Sequence, residues 1–301
     1  MSVTVQDDDM DIKIPNDVNV ISPFSVFSPS VEDPTARALI VLNQSLKNVP
    51  RFLTVWQGCL IHVCADGGAN RLYDYFDSEE ERKQYIPLYI VGDLDSLHKS
   101  VREYYERHGT RVIEQATQFA TDYMKALMLV QLQLYNPTII KGPIDTHDEI
   151  EVLYQKHIVK NLTVAPKLNL YVFGGIGGRF DQTVHSISQL YKTHEIHPSI
   201  QQFHITKSEM IFLLPEGSNA VIYSNKTAFN SRDRVPICGL LPLGSGEVEL
   251  TTFGLKYDVT DWPSSMLGNV SSSNGVSGTN GFLVRCRKGP ITINIELAFD
   301  P

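Results

Sequence analysis

Four cysteines in 301 residues are too few to staple a chain of this length, which removes the disulfide-scaffold class. None stands in a C-x-x-C pair, and Cys59 and Cys64 lie five apart, so buried reduced thiols are expected rather than a zinc site. Long hydrophobic runs are also missing: no stretch approaches the roughly 18 apolar residues of a membrane-crossing helix. Basic excess is absent as well. Lys+Arg 26 against Asp+Glu 34 leaves a formal charge of −8, which disfavours nonspecific binding to nucleic acid or to a membrane surface. The opening MSVTVQDDDMDIKIPNDV has no basic n-region, no apolar h-region and an acidic balance, so no targeting peptide and a cytoplasmic location are expected. No G-x-x-x-x-G-K-[ST] occurs. The glycine-rich stretch at 174–178 also misses G-x-G-x-x-G, because Phe180 or Ile176 falls where a glycine belongs.

What is present is a core. Apolar residues make up 42% and charged residues 20%, which excludes disorder throughout. Residues 1–34 are polar and acidic without a sustained period and read as a flexible arm that adds little to the core. Short continuous apolar runs follow at 38–42, 60–65 and 87–91, with a helical stretch at 70–76 between the second and third. Such runs suit strands covered on both faces, and strand alternating with helix predicts parallel βαβ units. Thr121 is placed to cap a helix running to about Leu134, and a second helix is expected over 180–191 with Phe180, Val184, Ile187 and Tyr191 on one face. The stretch 143–166 reads as an inserted surface segment with some helix. After about residue 200 the pattern changes. Ile291, Ile293, Ile295, Leu297 and Phe299 alternate with more polar residues, and Gly, Pro, Ser and Asn punctuate the region at short intervals. The fold class expected is α/β followed by all-β: a doubly wound, mostly parallel sheet with helices over 35–200, then an antiparallel β-sandwich over 201–301.

Chemistry is carried by a few short stretches. Asp66 follows a strand and precedes Gly67-Gly68, where an open parallel sheet binds ligands; taken alone, it reads first as a helix cap. In Gly92-Asp93-Leu94-Asp95-Ser96, residues i and i+2 of an extended segment point the same way. Asp93 and Asp95 would then converge, and a hard divalent cation relieves the repulsion between two such carboxylates. An Asx turn is the plainer alternative. Asp122 and Lys125 share one face at the start of a helix, as a metal and phosphate pair or as an ordinary ion pair. Gly174–Gly178 followed by Arg179-Phe180-Asp181-Gln182 reads as a backbone N–H cradle at a helix start, with a guanidinium able to fork onto phosphate, or as a purely structural glycine-rich turn.

Taken together and in order, CADGGANRLYD (64–74), PLYIVGDLDSL (87–97), QFATDYMKAL (118–127), GGIGGRFDQTVHSISQLY (174–191), TTFGLKYDV (251–259) and SSSNG (271–275) resemble the thiamine pyrophosphokinase family, in its fungal branch. The resemblance spans roughly residues 35–301. It implies a nucleotide-binding α/β domain and a thiamine-binding β-sandwich working as a homodimer with sites at the interface. The implied reaction is transfer of the diphosphoryl group of ATP to the hydroxyl of thiamine, with Mg²⁺ as cofactor and AMP released. By the family's motifs, Asp66, Asp93, Asp95, Asp122 and Lys125 would be catalytic, with Asp93, Asp95 and Asp122 as metal ligands. Gln118, Arg179, Asp181, Gln182, Thr252, Ser271, Ser273 and Asn274 would contact the substrates. Tyr257 stands where many relatives carry Trp, and Gln182 where bacterial ones often carry His. Two other readings compete: a noncatalytic thiamine sensor, which has no need of an acidic cluster, and a D-x-D nucleotide-sugar transferase, which leaves the Gly-Gly-Arg-Phe-Asp-Gln and Ser271–Asn274 stretches unexplained.

Overall fold

A ten-stranded sheet runs through the whole computed structural model, which describes residues 2–6, 10–27, 35–160, 167–224, 226, 229 and 235–298. From one edge the strands are Arg111–Glu114, Tyr89–Gly92, Ile61–Ala65, Ala36–Val41, Leu168–Phe173 and Ile200–Ile205, all parallel. The sheet continues through Glu209–Leu214, Ile291–Glu296, Ile237–Leu241 and Ser271–Gly275, now antiparallel. The apolar runs are continuous because both faces are covered. Leu39 and Val41 enter one hydrophobic cluster, whereas Ala38 and Ile40 enter another on the opposite face with helix Asp122–Tyr135.

The C-terminal region is the expected antiparallel β-rich half. A second sheet of five strands, Trp262–Ser264, Val248–Phe253, Gly281–Arg287, Gly217–Ile222 and Asn19–Ile21, shares one cluster with the antiparallel end of the large sheet. Ile293 and Ile295 from one sheet and Val248, Leu250, Phe282 and Val284 from the other are all fully buried there. Residue 200 is not a break: Ile200–Ile205 is the last parallel strand and hands the sheet on to its antiparallel partner. Phe299, at the end of the alternating pattern, lies outside the described residues.

Three sequence readings are corrected. The arm before residue 35 is woven in where it is described: Ser2–Val5 pairs with Tyr257–Thr260, Asn19–Ile21 joins the five-stranded sheet, and Ile12, Phe24 and Val26 are buried. Isolated apolar residues in a polar stretch fill gaps in a core built elsewhere, which no local period announces. The 143–166 stretch holds helix Glu149–His157, whose Ile150 and Tyr154 pack into the cluster under helix Asp122–Tyr135, so it is more than a surface insert; residues 161–166 lie outside the described set. Finally, helix Phe180–Ile196 buries Ser186, Gln189, Leu190 and Thr193, leaving Phe180 and Val184 exposed. All four cysteines are buried and free, as expected.

Candidate active site

The parallel strands set the site at their carboxyl ends. Strand order reverses at Ala36–Val41, whose neighbours are Ile61–Ala65 on one side and Leu168–Phe173 on the other. Such a switch point opens a crevice. Gln44 bridges it by donating from Nε2 to the Gly177 carbonyl at 2.6 Å. The Gly174–Gly178 loop lines the crevice, with positive φ at Gly174 (78°), Gly177 (96°) and Gly178 (64°).

Beside this crevice Asp66, Asp93 and Asp122 converge. Each offers a carboxylate oxygen within 4.8 Å of the others. Asp66 ends one strand in a left-handed conformation (φ 42°), Asp93 follows the next, and Asp122 opens a helix whose Thr121 cap accepts from Met124 N, as expected. Gly92 makes the convergence possible. A Cβ there would lie 2.8 Å from Asp66 Cβ and 2.9 Å from Asp122 Oδ1, closer than real contacts allow. Asp122 Oδ1 accepts from Asp93 N at 3.1 Å and from Lys125 Nζ at 3.3 Å. Lys125 is 1% exposed and also donates to the Gln115 carbonyl at 2.8 Å. Gln118 Nε2 reaches Asp93 Oδ2 at 3.4 Å.

Burial raises the pKa of both Asp66 and Asp122. For Asp66 the Asp122 charge adds to it; for Asp122 the Asp93 charge adds while Lys125 opposes. Asp66 Oδ1 is buried without a hydrogen-bond partner among the described residues. Three hard oxygen donors at one point, one with an unsatisfied buried oxygen, fit a small divalent cation held by a few carboxylates.

Asp95 is not part of this grouping. The extended-segment rule fails because Leu94 takes φ 64° and the segment bends, with Asp93 Oδ1 accepting from Asp95 N at 3.4 Å. Asp95 is exposed and accepts from Ser96 Oγ at 2.9 Å. Arg179 and Asp181 pair with each other on the exposed lip of the glycine-rich loop, and Gln182 is exposed beside them.

The remaining expected residues lie elsewhere. Ser271, Ser273, Asn274 and Thr252 line a cavity of about 290 Å³ with Tyr257, Trp262 and Val3. Thr252 and Asn274 build this cavity rather than pointing freely into it. Thr252 Oγ1 donates to Asp258 Oδ1 at 2.8 Å, and Asn274 clasps Tyr257 by accepting from its N and donating to its carbonyl, both at 2.9 Å. Sequence reasoning missed Gln44, Gln115 and Asn70. Gln115 is fully buried and ties the Lys125 partner to the 145–150 segment, donating to Asp145 O and accepting from Ile150 N. Asn70 holds the 96–98 loop from both ends. Asn70 sits inside the matched CADGGANRLYD stretch and Gln44 just past a switch-point strand, so both had a signal; Gln115 had none.

Comparison with known proteins places these features in a family. Residues 52–201 match the family described as thiamin pyrophosphokinase, catalytic domain, and residues 226–291 match thiamin pyrophosphokinase, vitamin B1 binding domain. Thiamine pyrophosphokinase of Saccharomyces cerevisiae is 37% identical over 278 residues, covering 87% of this chain and 86% of its own. Thiamine pyrophosphokinase 1 of Arabidopsis thaliana is 31% identical over 249 residues, covering 80% and 79%. The solved thiamin pyrophosphokinase from Candida albicans superposes with a TM-score of 0.89 at 39% identity over 98% of each chain.

Proposed function

The chain belongs to the thiamin pyrophosphokinase family and forms thiamine diphosphate with ATP as co-substrate, and we propose that its acidic cleft is where the diphosphoryl group is handled. The observation that carries this reading is the meeting of Asp66, Asp93 and Asp122 at a switch-point crevice. These three residues would hold Mg²⁺, which when bound supplies charge neutralisation for the triphosphate. Asp95, exposed and held by Ser96 Oγ outside the three, would join them only by turning inward. Lys125, fixed between Asp122 and the Gln115 carbonyl, places a point charge at the phosphate side. Gln118 orients Asp93. Arg179 would leave Asp181 to fork onto phosphate oxygens, freeing a carboxylate on the side from which cationic thiamine approaches. The thiamine hydroxyl attacks the β-phosphorus in line and AMP departs, so the residues act chiefly by positioning and by charge.

The second site is the 290 Å³ cavity, read as the thiamine pocket. In one chain it cannot serve the acidic cleft. Ser271–Gly275 is an edge strand, and six strands separate it from Ile61–Ala65, which carries Asp66 at its end. Seven inter-strand steps of ~4.8 Å put the two on the order of 30 Å apart. Exposed apolar groups adjoin both sites along the chain: Phe119 next to Gln118 and Phe180 next to Arg179 at the cleft, Phe253 next to Thr252 and Tyr257 in the wall of the cavity. A two-fold homodimer that sets each rim against the other brings a cleft and a cavity together twice. A cytoplasmic location belongs to the same reading, and among the described residues no helix is long and apolar enough to cross a membrane.

The test is incubation with ATP, Mg²⁺ and thiamine. Thiamine diphosphate and AMP are expected in equal amounts, and Asp93→Asn is expected to lose orders of magnitude in turnover with its melting temperature kept. Near-normal AMP formation by Asp93→Asn contradicts the assignment.

A further inference from the structure

Two helices carry the proposed chemistry, and they come from distant parts of the chain. Asp122–Tyr135 bears Asp122 and Lys125; Phe180–Ile196 follows the glycine-rich loop and begins beside Arg179, Asp181 and Gln182. Deep in the fold they are joined through a third element: Tyr123 donates its hydroxyl to Gln202 Oε1, and Gln202 Nε2 donates to the Gln189 carbonyl at 3.3 Å. At the cleft end they meet where Thr121 Oγ1 and His185 Nε2 lie 2.9 Å apart.

We propose that His185 is a positioning residue: by holding the Thr121 hydroxyl it fixes the Arg179–Gln182 segment against Asp122 and Lys125, so that the two substrate-bearing elements keep a reactive register. The proposal rests on the reading of the acidic cleft given above. The hydrogen-bond roles fit. Thr121 Oγ1 already accepts from Met124 N as a helix cap, which leaves its own proton for an acceptor. A neutral imidazole carrying its proton on Nδ1 presents Nε2 as that acceptor. Burial, with Lys192 acting in the same sense, keeps His185 below the ordinary histidine range. Placement fits too. His185 stands one turn beyond Asp181 at i,i+4, on the same face of the helix. The residues that seat this helix on the core are Ser186, Gln189, Leu190 and Thr193, so His185 contributes its bond rather than core packing. Loosening such a link misplaces reacting groups without removing the groups that bind, which lowers kcat more than it raises KM.

The test compares His185→Ala and His185→Gln with the unaltered full-length enzyme. Steady-state kinetics in both substrates, melting temperature and hydrogen exchange of the 176–183 amides are measured, with Asp93→Asn run in parallel. For His185→Ala, kcat is expected to fall about tenfold with KM for ATP within about twofold. Melting temperature stays unchanged and exchange over 176–183 accelerates. His185→Gln, which restores a hydrogen-bonding group near the Nε2 position, recovers both kcat and slow exchange. Unchanged kcat and exchange in His185→Ala, a glutamine variant as impaired as the alanine one, or a kcat loss tracking a lower melting temperature each overturns the proposal. A fully active Asp93→Asn sinks the acidic-cleft reading instead, and the exchange result still decides whether the helices are latched.

Discussion

Asp66 is the residue at which function and stability pull in opposite directions. Its carboxyl is buried, one oxygen has no partner among the described residues, and the charges of Asp122 and, to a smaller degree, Asp95 add to the effect of burial. The folded state therefore raises the pKa of Asp66 above the unfolded value of about 3.9. An acid whose folded pKa is raised binds more protons folded than unfolded, so stability falls as pH rises from about 4 through the folded value. Asp66→Asn removes this penalty while keeping a side chain that tolerates the left-handed conformation. The ligand-free Asn variant is expected to melt above the wild type at pH 7, with the gap closing toward pH 4, and to lose the melting shift that Mg²⁺ with ATP gives the wild type. A wild type that outlasts Asp66→Asn at pH 7 without ligand contradicts the electrostatic account. Gly92→Ala acts by shape: its Cβ would press on Asp66 and Asp122, for a stability loss of about 1–3 kcal/mol and disrupted Mg²⁺-ATP binding, read by thermal melts and calorimetry. At this scale much of the site was legible in the sequence, because motif residues mark strand ends. The convergence of Asp95 with Asp93 was misread because a left-handed Leu94 cannot be read from a D-x-D spacing.

Among the elements, the N-terminal segment departs most from its sequence pattern. Ser2–Val5 is exposed along its length, yet it pairs with Tyr257–Thr260 and brings Val3 to the cavity wall. Val3→Lys sets a positive charge at a pocket read as holding a cationic thiazolium. KM for thiamine is expected to rise about fivefold, with KM for ATP unchanged, since like charges close together in a partly buried site repel. Equal effects on both substrates, or none, count against the strand's place in the pocket. The βαβ half was legible because continuous apolar runs have few structural solutions. The arm was not, because Phe24 and Val26 are buried by contacts formed far along the chain, such as Phe24 with Phe229 and Tyr223. The stripe of Phe180 and Val184 illustrates a third case. Periodicity showed a helix with an apolar face but not what the face meets: in a single chain its first half, Phe180 and Val184, meets solvent, while Ile187 and Tyr191 are partly covered.

For the whole molecule, the central claim is that an acidic cleft and a thiamine cavity, too far apart to cooperate within one chain, form a site between two. Chain mixing tests it most directly. Asp93→Asn disables the cleft, and Ser273→Trp fills the cavity from an exposed position. Each variant alone is expected to be dimeric, folded and nearly inactive. Unfolded together and refolded at equal amounts, half the dimers carry one intact composite site of two, and activity should return to about a quarter of wild type. A refolded mixture as inactive as its components, with mixed dimers demonstrated by mass, would contradict the account.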